Sequence, residues 1–488
     1  MSQNTSLAGS DLTTWQQLVF PRDYRNTAPA ARYNLIVIGA GPAGLIAAIG
    51  AAGLGAKVAL IERHAMGGDC LNVGCVPSKT LLAAAVAGLD SGAALARVRA
   101  VRAAIAEHDS VQRYRAAGVD VFLGEGSFIS ATSVRVVSDA HGDATLQARK
   151  VVIATGARAA LPPIPGLAES APLTNETIFE LGTAPKRLAI IGGGPIGCEL
   201  AQAFARLGTQ VELVELLPRL MPADASEAAE LVASALRAAG VQLHLGAKLK
   251  KIGRDASGRT LHLESGASIV CEELLVAAGR QRNLEELGLD AAGIRWDAKH
   301  GIEVDAQLRT SARNVFAIGD VASRLQFTHH ADAQARIVLR NALFLGRARA
   351  DTLVVPWCTY TKPEVAHVGA TRAALTASDT RFTALRVDFK DLDRGRTDNT
   401  GDGYAEVLLA AGSDKLLGAS IVGNDAGEQI APLVMMMTLK IGFGALGSLL
   451  LPYPTRSEYL RRLADAWNRT RLTPRNARLL SWWLRRTR

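Results

Sequence analysis

Twice in this chain a short apolar strand runs into a glycine-spaced turn, a helix, a second strand and an acid. The first copy is Asn34-Leu35-Ile36-Val37-Ile38, then Gly39-Ala40-Gly41-Pro42-Ala43-Gly44, a helical stretch to about Gly53, and Lys57-Val58-Ala59-Leu60-Ile61 ending at Glu62. The second is Arg187-Leu188-Ala189-Ile190-Ile191, Gly192-Gly193-Gly194-Pro195-Ile196-Gly197, a helix, and Val211-Glu212-Leu213-Val214-Glu215. From Gly39 to Glu62 and from Gly192 to Glu215 the spacing is the same 23 positions. Such glycines tighten the turn and let a pyrophosphate approach the helix N-terminus, where free N–H groups and the dipole favour anions. A carboxylate at this distance is placed to accept both ribose hydroxyls. Each unit therefore reads as a dinucleotide site, and two units imply two different dinucleotides with electron transfer between them. At the second, Glu215 would repel the 2′-phosphate of NADPH, which favours NADH; Arg219, four residues on, leaves NADP(H) open.

Just after the first unit comes Gly67-Gly68-Asp69-Cys70-Leu71-Asn72-Val73-Gly74-Cys75-Val76-Pro77-Ser78-Lys79. In a regular helix an i, i+5 pair has Cα atoms roughly 8–9 Å apart, beyond the roughly 7 Å limit for bridging two cysteines. A disulfide here would need a distorted first turn, which Gly74 permits, and such accessible, distorted disulfides are the labile, catalytic kind. The alternative is two unrelated thiols near a helix start.

At 488 residues the chain exceeds one hydrophobic core, and about three domains are expected. Five cysteines make no disulfide framework, so a reducing cytoplasm is the expected setting. No basic region followed by an apolar core opens the chain, so no signal peptide is read. Leu35–Ala56 is uncharged for 22 residues, but its glycines and Pro42 fit a buried strand-turn-helix better than a membrane span. The net charge of +9 is uneven: Arg456–Arg488 holds ten arginines against Glu458 and Asp465, which leaves +1 for the rest.

Residues 1–31 read as an extended lead-in with Trp15 and Phe20 as anchors. Residues 80–117 read as helices, and 118–137 as strands and turns with Gly124-Glu125-Gly126 near the nucleotide. Val151-Val152-Ile153-Ala154-Thr155-Gly156 is a strand ending in a small-residue turn, and the Pro-rich Leu161–Gly166 marks a domain boundary. Leu274–Arg280 and Val315–Asp320 are further strands, and a helix is expected to begin near His329. From Val354 to about Gly442 the texture changes to alternating strands and then a methionine-rich helix at Met435–Met437, read as core packing.

Together these residues resemble the class I pyridine nucleotide–disulfide oxidoreductases of the glutathione reductase, dihydrolipoyl dehydrogenase and mercuric reductase type, over roughly residues 33–460. The resemblance rests on GGDCLNVGCVPSK, both glycine units, the Ala-Thr-Gly turn, VFAIGD and Val355–Gly369. FTHHADAQAR and DRGRTDNTGDGYAEVLL are most similar to the mercuric reductase-like branch. It implies an α/β fold with two Rossmann-like domains, binding FAD and NAD(P), plus a C-terminal α+β dimerisation domain. In that scheme residues 32–160 and 283–348 form the FAD-binding domain, 161–282 the NAD(P)-binding domain, 349–460 the homodimer interface and 461–488 a basic tail. Gly39, Gly41, Gly44 and Glu62 would hold the adenosine half of FAD, with Gly126, Ala154, Thr155 and Gly156 closing over it. Asp320 would bind the ribityl chain, and His329 would sit at a helix start beside the flavin. Lys79, paired with Glu199, would stand near the flavin, and Gly192, Gly194, Gly197, Glu215 and Gly279 would bind NADH. Cys75 would be the flavin-proximal sulfur and Cys70 the thiol that meets the acceptor. His329 and His330 lack a third ligand at suitable spacing, so no metal site is read.

The resemblance breaks near the C-terminus. Where disulfide-reducing members carry a His-Pro-Thr-x-x-Glu motif, this chain has Tyr453-Pro454-Thr455-Arg456-Ser457-Glu458, and its last histidine is His367. Tyrosine, with a pKa near about 10, is a poor base at neutral pH, where general acid–base steps contribute about 10²–10⁴-fold. Mercuric reductases resemble this sequence in having tyrosine there, but their C-terminal vicinal cysteines are replaced by Ser481-Trp482-Trp483-Leu484-Arg485-Arg486-Thr487-Arg488. The expected acceptor is a soft metal ion such as Hg(II), or a small disulfide or quinone. Dihydrolipoyl dehydrogenase activity, and a membrane-docked electron-transfer partner or redox sensor, are the alternatives. For the tail two readings stand: a terminal helix whose tryptophans pack on the body, or a peripheral anchor at the inner face of a membrane. Nucleic acid is not expected, since no recognition motif accompanies the charge.

Overall fold

A computed structural model describes residues 14–255 and 258–488. They form two compact units, one of residues up to Gly193 with Leu200–Leu216 and Gly240–Leu353, the other of Gly194–Glu199, Leu217–Ala239 and Val354–Arg488.

In the first unit, strand Tyr33–Ile38 pairs in parallel with Val58–Glu62 on one side and Ala144–Ile153 on the other. Val119–Leu123 extends the sheet beyond Val58–Glu62, and Val315–Ala317 pairs in parallel with Ala144–Ile153. Leu35, Ile36, Val37, Leu60, Val151 and Val152 are all fully buried, as expected of parallel strands covered on both faces. Helix Pro42–Gly53 covers one face beside helix Thr328–Leu343; a Cβ on Gly50 would come within 2.5 Å of Leu339. A second parallel sheet runs Gln242–Leu245, Gln210–Glu215, Arg187–Ile191, Glu273–Val276. The uncharged stretch from Leu35 is thus a strand, a turn and a helix, and among the described residues no helix is long and apolar enough to cross a membrane.

The two glycine turns are built alike. Gly39 has φ +101° and Gly192 φ +111°. A Cβ at Gly39 would lie 2.4 Å from the Ala154 carbonyl oxygen, and one at Gly192 2.5 Å from that of Ala277. In each case the neighbouring strand's end occupies the space a side chain would need.

The lead-in departs from the extended expectation. Residues 1–13 lie outside the described residues, but 14–19 are helical. Trp15 donates its Nε1–H to Asn72 Oδ1 at 2.9 Å, Val19 is fully buried, and Phe20 packs edge-on against His141. The anchors were legible; the helix joining them is a tertiary effect.

In the second unit a five-stranded antiparallel sheet runs Pro356–Thr359, Glu364–Gly369, Leu416–Gly423, Tyr404–Ala410, Phe382–Asp388. Helices Ala431–Leu439 and Glu458–Thr470 contribute Leu433, Met436, Tyr459, Leu463 and Trp467 to its core. Met436 packs as read, whereas Met435 is exposed. Residues 461–470, assigned to the tail from sequence, therefore belong to this core. The tail's other two tryptophans, Trp482 and Trp483, are exposed rather than packed in this core.

Gly39→Ala and Gly192→Ala should each lower the urea midpoint, with a loss of at least about 1–3 kcal/mol for the strained backbone alone. A control at Gly53, where a Cβ meets nothing within 4 Å, should not.

Candidate active site

The Gly67–Lys79 segment is two helices, Gly68–Asn72 and Cys75–Val86, broken at Val73 and Gly74. The break has a local cause: a Cβ on Gly74 would lie 2.8 Å from the Asp69 carbonyl oxygen, the acceptor of the Val73 N–H at 2.9 Å. The segment is fixed to the first nucleotide turn. Gly67 N–H donates to the Ala40 carbonyl at 2.9 Å, and Gly68 packs so closely on Gly41 that a Cβ would come within 2.5 Å of its Cα.

Cys70 and Cys75 are present as thiols, the first half-buried and the second exposed. They hydrogen-bond to each other, and this contact, followed by burial, pushes the Cys70 thiol far above the usual range. Cys75 opens a twelve-residue helix, a position that favours a thiolate, and its Sγ lies 3.5 Å from Thr328 Oγ1. Lys79 stands one turn further along the same helix. Cys198 and Cys271 are buried, with Cys271 pushed up to about 11 by burial, and Cys358 is half-buried.

Arg280 joins two of these elements, and sequence reasoning passed over it as the end of a strand and turn. Its guanidinium binds the carboxylate of Asp69, donates to the Ala157 carbonyl at 2.8 Å and lies 3.4 Å from Asp320 Oδ2. Its Nε is buried without a hydrogen-bond partner. Burial holds the Asp320 carboxyl above the usual range, and Arg280 opposes that shift. The turn bearing Asp320 is held from the other side: Gly319 N–H donates to Gln334 Oε1 at 2.7 Å, and the buried His330 contacts Gln334 and Ser323. His329, next to it, is exposed and stacks on Phe327.

A cleft opens at the ends of the first sheet's parallel strands, lined by Gly39, Glu62, Gly124, Gly126, Thr155 and Asn283 among others. Glu62 is buried, with Oε2 accepting the Ala40 N–H at 2.7 Å and Oε1 the His64 N–H at 2.8 Å. A Cβ on Gly126 would press on Ile61 and Ile38 at 3.1 and 3.3 Å, which leaves the cleft floor flat. Thr155 and Asn283 lock its wall through two reciprocal bonds of 2.8 Å. Glu215 repeats the arrangement of Glu62, its Oε2 accepting the Gly193 N–H at 2.6 Å. A side-chain-free cradle ending at a carboxylate suits the adenosine half of a dinucleotide, so these residues fit FAD at the first unit. Ala154 and Gly156 flank Thr155, and Gly279, with φ +118°, precedes Arg280. Arg219 is engaged with the carbonyls of Met221, Pro222 and Asp224.

In the second unit, Glu199 is buried and accepts the Tyr360 N–H at 2.9 Å. Tyr453 and Glu458 have separate partners there. The exposed Tyr453 donates its hydroxyl to the Asp393 carboxylate, which pushes its pKa up from the tyrosine range. Glu458 Oε1 accepts from Arg462 at 2.8 Å, and its Oε2 is buried without a hydrogen-bond partner. His367 is pushed down to about 4 by burial and is bonded to Ser420 and Gly369.

Residues 33–335 match the family described as pyridine nucleotide-disulphide oxidoreductase, and residues 355–464 match its dimerisation domain. The chain belongs to the pyridine nucleotide–disulfide oxidoreductases. Among curated relatives, mercuric reductase of Staphylococcus aureus is 33% identical over 88% of this chain and 82% of its own length. Dihydrolipoyl dehydrogenase of Chlorobaculum tepidum is 31% identical over 89% and 97%. The Cu(II) complex of the HOCl-induced flavoprotein disulfide reductase RclA from Escherichia coli superposes with a TM-score of 0.83 at 30% identity, covering 90% of this chain and all of that one. The chain is therefore an FAD-dependent, NAD(P)H-linked oxidoreductase of the expected α/β architecture, and its dimerisation domain supports a homodimer. Bound FAD supplies the two-electron relay between nicotinamide and a disulfide.

Arg280→Met removes the cation between Asp69 and Asp320. Because Asp69 is over a third exposed, the cost should fall below the about 3–5 kcal/mol of a fully buried pair, near about 2 kcal/mol. Thermal unfolding of the variant should show that loss, and Asp69→Asn should show less.

Proposed function

We propose that the enzyme oxidises NADH and passes the electrons through Cys70 and Cys75 to a soft metal ion, Hg(II) or Cu(II), rather than to a dithiol carrier. The observation that carries this reading is the state of the proton-handling position. Tyr453 replaces the expected histidine and is bound to Asp393, while His367 is buried and held neutral. A metal ion needs thiolates but little proton transfer, whereas lipoamide or glutathione turnover draws on a general acid–base group. Soft metal ions are also the ligands thiolates prefer. The mercuric reductase relatives and the Cu(II) complex of RclA are consistent with this acceptor class. A small disulfide or quinone is the next reading, and dihydrolipoyl dehydrogenase activity is disfavoured by Tyr453.

In this reading the residues divide the work. Cys70 receives the acceptor, and Cys75 stands at its helix start, where a thiolate is favoured. Arg280 ties Asp69, beside Cys70, to Asp320. Gly192, Gly194, Gly197, Glu215 and Gly279 bind the nicotinamide dinucleotide. Glu215 offers a carboxylate where a 2′-phosphate would lie, and Arg219 is engaged with its own loop, so NADH is preferred to NADPH.

Steady-state assays of the purified enzyme should show faster NADH oxidation with Hg(II) or Cu(II) than with lipoamide; brisk lipoamide turnover would sink the reading. The ratio of kcat/KM for NADH over NADPH should exceed one, and Glu215→Ala should lower it. Tyr453→His should raise lipoamide turnover by on the order of 10²-fold and add a pH limb near about 6.5 that the parent lacks.

A further inference from the structure

We propose that helix Pro474–Arg486 lies flat on an anionic lipid surface and holds the enzyme there. The helix is well defined at its start, with Thr473 Oγ1 accepting the Asn476 N–H and Pro474 in the first turn. None of its residues is buried. Leu479, Leu480, Trp483 and Leu484 recur at helical spacing, so they share one face, and they are 64%, 51%, 58% and 59% exposed. Arg478 and Arg485 fall on the opposite side, and Arg475 and Arg486 flank the apolar face, with Arg486 stacked on Trp482 at 4.2 Å. The preceding helix, Glu458–Thr470, is a useful contrast. It is also amphipathic, but its Tyr459, Leu463 and Trp467 are buried in the sheet domain. The matched dimerisation region ends at residue 464, so the exposed face lies beyond it.

Charge selects the occupant. From Trp467 to Arg488 there are seven arginines and no aspartate or glutamate. The chain before Arg456 carries only +1, so a second copy offers no acidic surplus to meet that charge. Anionic headgroups supply it along the rim of the helix, while the leucines and Trp483 enter the acyl boundary, the arrangement that interfacial helices adopt. The proposal is independent of the acceptor.

The test is co-sedimentation of the full-length, flavin-loaded enzyme with phosphatidylcholine vesicles, with and without phosphatidylglycerol. The wild type should pellet only with the anionic vesicles, and added salt should weaken binding. Leu480→Ser with Trp483→Ser should weaken partitioning at least about tenfold, and Arg475→Gln with Arg478→Gln should weaken it as well. Both pairs should leave dimer mass by light scattering and NADH oxidation with soluble acceptors unchanged. Three results would overturn the proposal: no pelleting of the wild type with anionic vesicles, equal pelleting of wild type and variants, or a fall in oligomer mass in the apolar variant, which would assign the face to a second copy. Displacement from vesicles by RNA at equal charge, with no effect of the apolar pair, would also overturn it.

Discussion

The site depends on how the cysteine segment is fastened to the first glycine turn. Gly67 donates to Ala40, and Gly68 lies against Gly41 with no room for a side chain between them. Because Gly39 is in turn wedged against the Ala154 carbonyl, the sheet end, the nucleotide cleft and the thiols form one continuous packing arrangement. Close-packed glycine backbone leaves little freedom for slippage, so the position of Cys70 follows from the strands rather than from a loop.

The second constraint is electrostatic. Arg280 sits between the carboxylates of Asp69 and Asp320, one on the cysteine helix and one where the resemblance places the cofactor's ribityl chain. The thiols add an asymmetry of their own: the contact with Cys75, followed by burial, raises the Cys70 thiol, while Cys75 opens a helix. Proton delivery beyond the pair is where the sequence departs from the motif that the resemblance implies. Tyr453, Glu458 and His367 are each bonded to other partners, and the proposed acceptor class rests on that.

Much of this was legible in the sequence because it is local. The strand, glycine turn, helix and acid are set within about 30 residues, and Gly74 between the cysteines already permitted a distorted turn there. Arg280 was not legible, because its partner Asp69 lies 211 positions away and nothing local distinguishes it from a solvated arginine. The tail shows the other limit. Helices Glu458–Thr470 and Pro474–Arg486 carry the same kind of pattern, yet one buries Trp467 and the other exposes Trp482 and Trp483. Amphipathicity states that a face wants cover; only the fold states whether cover is present. The helix at 14–19 is a third case, since six residues have little helical stability alone and are held by Trp15 and Val19.

The central claim is that electrons from NADH reach the Cys70–Cys75 pair. It is tested most directly by oxidising the purified flavoprotein so that the pair is a disulfide, then alkylating thiols anaerobically with and without NADH, read by peptide mass spectrometry. NADH should open both cysteines to alkylation, with Cys70 silent to NADH in Cys75→Ser and the other three cysteines unchanged. Labelling of Cys70 and Cys75 that is the same with and without NADH would contradict it.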